Sequence, residues 1–515
     1  MAALAVQRDA VAPARPPAPN IGLALALIAA AMLRFWALPF GVPFAVQIDE
    51  PEVMERAIRM MRTGDFGPHF FDYPALYMYV QAATGVARFL FGAMRGEWSS
   101  LAQASTEHFY LWGRAVTASL GTATVWLVYH AGLRWGERTA LLAAVMLAVM
   151  PLHVRESHFT LTDVPTTFLV VLTLLLTLRA HERATLRAFL LAAAAAGLAG
   201  ATKYNGGIAV LLPLLACAMT PSLGRNRIAA MAWIVVTMVG TFLLAAPYTL
   251  IDLPTFLNQF ARLSSEYRAK GIAGDAVWMV YLKHLRIALQ TPGSLLVLAG
   301  LGLGLYRVLF GPGRLKWVLA TAFPLIYFRF ISNQNIVYAR YLLPLVPFLS
   351  LLAAAAVVWT VERLRRWQLP RAARDGVTVL LTIVTIAPPA YTSIRFDANS
   401  AKIWTNRLAY AWTNTNLPPG TVIVSETREF LLPRTLNAQY VKELRFLNGV
   451  PLDRTDAQYL VASSQNFGKY LSNCQQFKSE CADYEAVFRQ TEEVARFTPS
   501  PEHPGSELRI LKVKR

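Results

Sequence analysis

The sequence predicts an α-helical polytopic membrane protein of about eleven spans, followed by an extracytoplasmic α/β domain. Three observations lead there. Apolar runs of span length recur from Ile21 to Ile394, in a chain that is 55% hydrophobic and only 16% charged. After Phe396 the composition turns to that of a soluble domain. The formal net charge of +18 lies almost wholly before that point, since residues 396–515 hold 15 Lys and Arg against 13 Asp and Glu.

Taken in order, residues 1–20 are Ala/Pro-rich and read as a cytoplasmic tail. The run Ile21 to Phe40 has span length with no cleavable signal before it, so it stays as the first span. Further spans fall near 111–130, 139–155, 162–178, 188–202, 205–220, 228–250, 291–310, 317–331, 338–361 and 376–394. The membrane domain is therefore 21–395, with an outer loop at 42–110. If the chain starts inside, the basic clusters all fall on the cytoplasmic side. They are Arg134 and Arg138; Arg179, Arg183 and Arg187; Arg225 and Arg227; Arg307, Arg314 and Lys316; and Arg363, Arg365, Arg366, Arg371 and Arg374. The basic balance is then topology, and nucleic-acid binding is excluded. The same parity puts 42–110, the His153–Asp163 turn, the Lys203 turn, 251–290, the Ser332–Tyr338 turn and everything after Ile394 outside.

The stretch "GLAGATKYNGG" interrupts two short apolar segments with glycines and a lysine. Such a break survives in a membrane only where protein or a wet cavity covers the loosened backbone. It does not satisfy G-x-x-x-x-G-K-[ST], which excludes a phosphate loop. In the domain 396–515, "NLPPG" reads as a turn and "TVIVSE", "AQYLVASS" and "ELRILKVKR" as strands. Cys474 and Cys481 lie there and are free to pair outside the cytoplasm, whereas Cys217 reads as an inert membrane cysteine.

Three groups of residues could carry chemistry. Asp49 and Glu50 follow the first span, where Pro51 opens an amphipathic helix whose Val53, Met54, Ala57, Ile58 and Met61 share a face. Asp49 with Glu52 fits a helix cap and capping box, which leaves Glu50 unexplained. The second group, in "PLHVRESHFTLTDVP", is His153, Arg155, Glu156, His158 and Asp163. Ionisable residues at the hydrocarbon edge argue for a functional cavity, against a wet turn capped by Asp163. A divalent metal at Glu156 and His158, with His153, is an open reading, but the spacing matches no strong ligand motif, and no cofactor is assigned. The third group is cationic: Arg114, Lys203 beside Tyr204, and Arg340 beside Tyr341, all at the outer boundary. Each alone could snorkel to headgroups. Together, outer acids and outer cations describe a site for a phosphorylated substrate, with carboxylate for proton removal and cations for phosphate. "FDYPALYMYV" adds Tyr73, Tyr77 and Tyr79, as interfacial belt residues or as platforms for a sugar.

In order and sidedness, "IDE", "FDYPALYMY", "LWGRAVTASLG", "ESHFTLTDVP", "GLAGATKYNGG" and "ARYLLPLVP" resemble the C-type glycosyltransferase (GT-C) superfamily. The branch is that of the protein O-mannosyltransferases and lipid A aminoarabinose transferases. The resemblance implies Asp49 as catalytic base, supported by Glu50, with Asp163 as the second-loop acid. It implies Arg114, Lys203, Tyr204, Arg340 and Tyr341 around the donor phosphate, and Tyr73, Tyr77 and His158 toward sugar or acceptor. The donor would be a polyprenyl-phosphate sugar of undecaprenyl type. The acceptor would be a protein hydroxyl, lipid A or a glycan at the outer face of an inner membrane. "DYPAL" departs from the family's usual double proline, which bears on the acceptor. The rival class is a transporter or flippase for lipid-linked sugar, which would place charge at the midplane and pair broken helices in two related halves.

Overall fold

The computed structural model describes residues 20–42, 47, 49–104, 106–221, 226–268, 276–366, 370–427, 432–433, 435–445, 447 and 451–514. The amino-terminal tail and Arg225 lie outside them.

The membrane part is a helical bundle. In chain order it comprises α1 (Ile21–Phe35), α2 (Glu50–Thr63), α3 (Leu76–Met94), α4 (Thr106–Gly132), α5 (Glu137–Ala148), α6 (Pro151–Glu156), α7 (Asp163–Arg183) and α8 (Leu186–Thr202). It continues with α9 (Leu211–Ala218), α10 (Arg227–Ala245), α11 (Tyr248–Ile251), α12 (Leu253–Arg268), α13 (Val277–Phe310), α14 (Arg314–Ile331), α15 (Val346–Arg366) and α16 (Arg371–Ser400). Every predicted apolar run is helical, and the interruptions have local causes. Pro151 separates α5 from α6, and Pro247 separates α10 from α11. Within α13 the backbone leaves the helical region at Gln290, at φ 59°, two residues before Pro292. That break divides an outer half from the predicted span beginning at 291. The connection 251–290, read as an outer loop, is mostly helical, because α12 and the outer half of α13 carry amphipathic patterns too short to span.

The bundle centre is built from α5, α7, α8 and α15, whose alanines and leucines are buried, while α10 turns Ile228, Trp233, Val236 and Leu244 outward. Membrane helices approach closely where side chains are small. A Cβ on Gly197 of α8 would stand 2.5 Å from the Met238 carbonyl of α10, so only glycine permits this crossing.

After α17 (Thr405–Asn416) comes a five-stranded sheet in the order β2-β1-β3-β5-β4. Its strands are β1 (Val422–Ser425), β2 (Asn437–Tyr440), β3 (Tyr459–Ser463), β4 (Thr491–Phe497) and β5 (Leu508–Val513). β1 runs parallel to β2 and β3, and β5 runs antiparallel to β3 and β4. The helices α18 (Phe467–Leu471) and α19 (Lys478–Arg489) pack on it, and the Cys474–Cys481 disulfide joins the loop after α18 to α19. The three predicted strands are β1, β3 and β5. β2 and β4 escape sequence reading because they are edge strands: β2 is exposed along its length, so it lacks the alternation that marks a half-buried strand.

Candidate functional site

Asp49 stands at the start of α2, where a cap was expected, but its side chain makes no capping bond. The carboxylate turns away. Oδ2 accepts from Arg340 Nη2 and, at 3.2 Å, from the Tyr73 hydroxyl. Glu52 pairs instead with Arg56, one turn on, so the capping box is not formed.

Asp163, at the start of α7, accepts from Lys203 Nζ at 2.6 Å on Oδ1 and lies 3.7 Å from Arg340 Nε through Oδ2. Arg340 thus joins the two acids and Lys203 closes on the second. The local chain explains both cations. Lys203 is extended, at the end of α8, before a 3-10 turn over Tyr204–Val210. That turn folds back so tightly that a Cβ on Gly206 would lie 2.4 Å from the Ala199 carbonyl. Arg340 opens a second 3-10 turn, Ala339–Leu345, leading into α15. Two breaks in otherwise apolar segments therefore deliver one cation each to the same pair of acids.

Aromatic rings surround the charges. Lys203 Nζ lies 4.4 Å from the centre of the Tyr341 ring, and the Arg340 guanidinium 4.2 Å from that of Tyr338, distances at which cation–π attraction operates. The Tyr341 hydroxyl bonds that of Tyr267 at 2.6 Å. Burial, with Asp49 and Asp163 alongside, holds the Tyr73 phenol well above its usual value, so it stays a donor. Tyr73 and Lys203, the partners of the two acids, line a cavity of about 320 Å³ together with Tyr204, Phe260, Tyr267 and Tyr341. One wall is α12, which rests on the outer loop through Arg262 to Asp72 at 2.6 Å and Gln259 to the Phe71 amide at 2.8 Å. The lining of the cavity is mixed: Lys203, Asp72 and Arg268 are charged, and Phe260, Leu263, Phe330 and Ile331 are apolar. Asp49 is the most open of the charged quartet, 26% exposed against 4% for Asp163.

Several expected site residues are elsewhere. Glu50 and Arg114 are fully buried in a bidentate pair of 2.7 and 2.6 Å. The Thr160 amide adds a bond to Glu50, and Arg114 Nη1 donates to the Leu38 and Phe40 carbonyls. With these bonds made, the pair cross-links the outer loop to α4, apart from the Asp49, Asp163, Lys203 and Arg340 cluster. Tyr77 is also a core residue, bonded to Thr117 Oγ1 at 2.6 Å. The Tyr204 hydroxyl donates to the Phe71 carbonyl, so only its ring serves the cavity. His158 is fully buried, with ring nitrogens 2.9 and 2.8 Å from the Val154 and Trp36 carbonyls and Asp397 at 3.3 Å. That leaves neither nitrogen for a sugar or a metal. Glu156 bonds its neighbour Arg155, and among the described residues no group of three or more His, Cys, Asp or Glu is placed to hold a metal. Sequence reading missed Tyr267, although Phe256, Phe260, Leu263 and Tyr267 recur at helical spacing.

Residues 23–263 match the sequence profile of the family described as dolichyl-phosphate-mannose-protein mannosyltransferase. A search of curated proteins finds no match. Among solved structures, the fold is similar to ArnT from Cupriavidus metallidurans bound to undecaprenyl phosphate. The TM-score is 0.59 at 17% identity, covering 95% of this chain and 98% of that one. It is also similar to the archaeal oligosaccharyltransferase AglB from Archaeoglobus fulgidus in complex with an inhibitory peptide and a dolichol-phosphate. There the TM-score is 0.56 at 14% identity, over 87% of this chain and 70% of that one. The chain is thus similar to the mannosyltransferase family over residues 23–263, just under half its length, and shares over nearly its whole length the fold of ArnT, a polytopic helical membrane bundle with a carboxy-terminal sheet domain.

Proposed function

We propose that the protein transfers a sugar from a polyprenyl-phosphate donor to a hydroxyl acceptor at the outer face of an inner membrane, with inversion. The observation that carries this reading is the charged quartet of Asp49, Asp163, Lys203 and Arg340 beside an amphipathic cavity that Lys203 lines. Lys203 and Arg340 together offer the positive charge that a lipid phosphate requires, and the apolar wall formed with Phe260 and α12 suits the first prenyl units. The undecaprenyl phosphate bound to ArnT and the dolichol-phosphate bound to AglB support a donor of this class.

In the resting site each acid is neutralised by a cation, and a salt-bridged carboxylate is a poor base. An incoming phosphate competes for Lys203 and Arg340, which frees Asp49 to take the proton of an acceptor hydroxyl. The hydroxyl oxygen then attacks the anomeric carbon through an oxocarbenium-like state, and the lipid phosphate leaves toward the two cations. Asp163, more deeply buried, holds Lys203 and Arg340 in position between turnovers. The basic clusters on the opposite side of the membrane support an outward-facing site.

The test is transfer by purified protein in proteoliposomes, supplied with a panel of radiolabelled polyprenyl-phosphate sugars and a hydroxyl acceptor mixture. Transfer or slow donor hydrolysis by wild type and not by Asp49→Asn supports the reading. Movement of labelled lipid across the bilayer, unchanged by the substitution and without donor consumption, overturns it in favour of transport.

A further inference from the structure

The bundle has a second polar cavity, at the end away from the candidate site. α14 connects the two ends: Tyr327 near its close bonds Asn205 beside the first cavity, and Arg314 at its start lies roughly 20 Å away along the helix. There a cavity of about 180 Å³ opens between α13, α14, α15 and the corner joining α4 to α5.

Its charged lining is Arg307, Lys316 and Glu362. Arg307 Nε is buried and has no partner among the described residues. Lys316 Nζ reaches only the Arg134 main-chain carbonyl and the face of Trp135, 5.8 Å away. Glu362 is exposed at the rim, and no ion pair joins it to either cation among the described residues. Two cations therefore face one space unneutralised. Trp135, Trp317 and Trp359 line the same cavity, and Leu305, Leu309 and Phe310 are exposed beside it on α13. That is the dress of a membrane–water boundary.

We infer that this cavity binds the headgroup of an anionic phospholipid from the leaflet opposite the candidate site. The two unneutralised cations are the complement of an anionic phosphate headgroup. The tryptophans and the exposed apolar rim favour a lipid over a free anion.

The experiment is native mass spectrometry of the delipidated full chain, offered equimolar phosphatidylglycerol and phosphatidylcholine with matched acyl chains. A parallel arm offers inorganic phosphate at millimolar concentration. Wild type is expected to retain phosphatidylglycerol about tenfold over phosphatidylcholine. The double variant Arg307→Gln with Lys316→Gln should bring that ratio to within about twofold, the size left by a surface charge. Glu362→Gln, which should fold normally, is expected to raise it. Arg183→Gln with Arg187→Gln, on the same side but outside the cavity, should leave it unchanged. Equal retention of the two lipids by wild type, a preference that survives the double variant, a ratio unmoved by Glu362→Gln, or inorganic phosphate displacing the lipid would each overturn the inference.

Discussion

Arg340 donates to the carboxylate of Asp49 across 291 positions of sequence, and that bond takes from α2 the cap its first residue was placed to give. The helix starts without a side-chain cap, a loss of about 1 kcal/mol, so local stability is forgone for a long-range ion pair. This pairing makes Asp49 the informative residue to alter. Asp49→Asn keeps a hydrogen-bond acceptor for Arg340 and Tyr73 but removes the base. Sugar transfer should fall by about 10²–10⁴, while the melting temperature holds. Steady-state transfer with labelled donor measures the first and thermal unfolding the second. Full activity in the variant would rule out Asp49 as base.

Glu50 and Arg114 should behave in the opposite way. Both are fully buried and bonded on every side that the outer loop and α4 offer. Removing either partner strands a charge, which destabilises by about 3–5 kcal/mol. Glu50→Gln and Arg114→Gln should therefore reduce the yield of folded protein and the melting temperature. Replacing the pair together, Glu50→Leu with Arg114→Met, should recover part of the loss. A Glu50→Gln protein that melts like wild type yet transfers no sugar would return Glu50 to the chemistry.

The contrast between these two neighbouring acids marks how far sequence reading reaches. Membrane spans were legible because bilayer thickness imposes run length, and the Lys203 and Arg340 turns because glycine, proline and charge interrupt such runs. Sidedness then grouped Asp49, Asp163, Lys203 and Arg340 correctly. It grouped Arg114 with them as well, since an arginine at the outer boundary looks the same in sequence whether it faces a cavity or a buried glutamate. Tyr73 and Tyr77 are four positions apart in one aromatic stretch, yet one hydroxyl meets Asp49 and the other Thr117. Only the packing of α3 on α4 decides that. Tyr267 was legible in principle, through the spacing of Phe256, Phe260 and Leu263, but an amphipathic helix does not reveal which surface it covers.

Tyr267 carries the next prediction. Its hydroxyl bond to Tyr341 links α12, one wall of the cavity, to the segment that presents Arg340. A neutral bond of this kind contributes about 1 kcal/mol. Tyr267→Phe and Tyr341→Phe should each raise the KM for the lipid-linked donor about fivefold, leaving kcat near wild type. Because both variants break the same bond, the double variant should be little worse than either alone. Fully additive losses would show that the two hydroxyls act separately.

The carboxy-terminal sheet domain supplies a prediction about pH. Glu426, just after β1, is buried and accepts from the Leu444 amide at 2.9 Å, the Ser463 amide at 2.9 Å and the Tyr484 hydroxyl at 2.7 Å. It thereby ties β1, β3, α19 and the chain after β2 together. Burial pushes its carboxyl above the usual range, against the pull of these donors. The folded form then holds the proton more tightly than the unfolded one, whose value is about 4.3. Stability from this group is therefore complete below about pH 4.3 and is lost as pH rises through the folded value. Amide hydrogen exchange at β1 and β3 in the full chain, corrected for intrinsic chemistry, should show protection declining over that window. Glu426→Gln removes the titration and should flatten the slope. It also sets an amide N–H₂ against one of the donors, which lowers protection by about 1–3 kcal/mol at acid pH. If wild-type protection rises across the same window, the donors outweigh burial, and Glu426 stabilises the domain as a carboxylate.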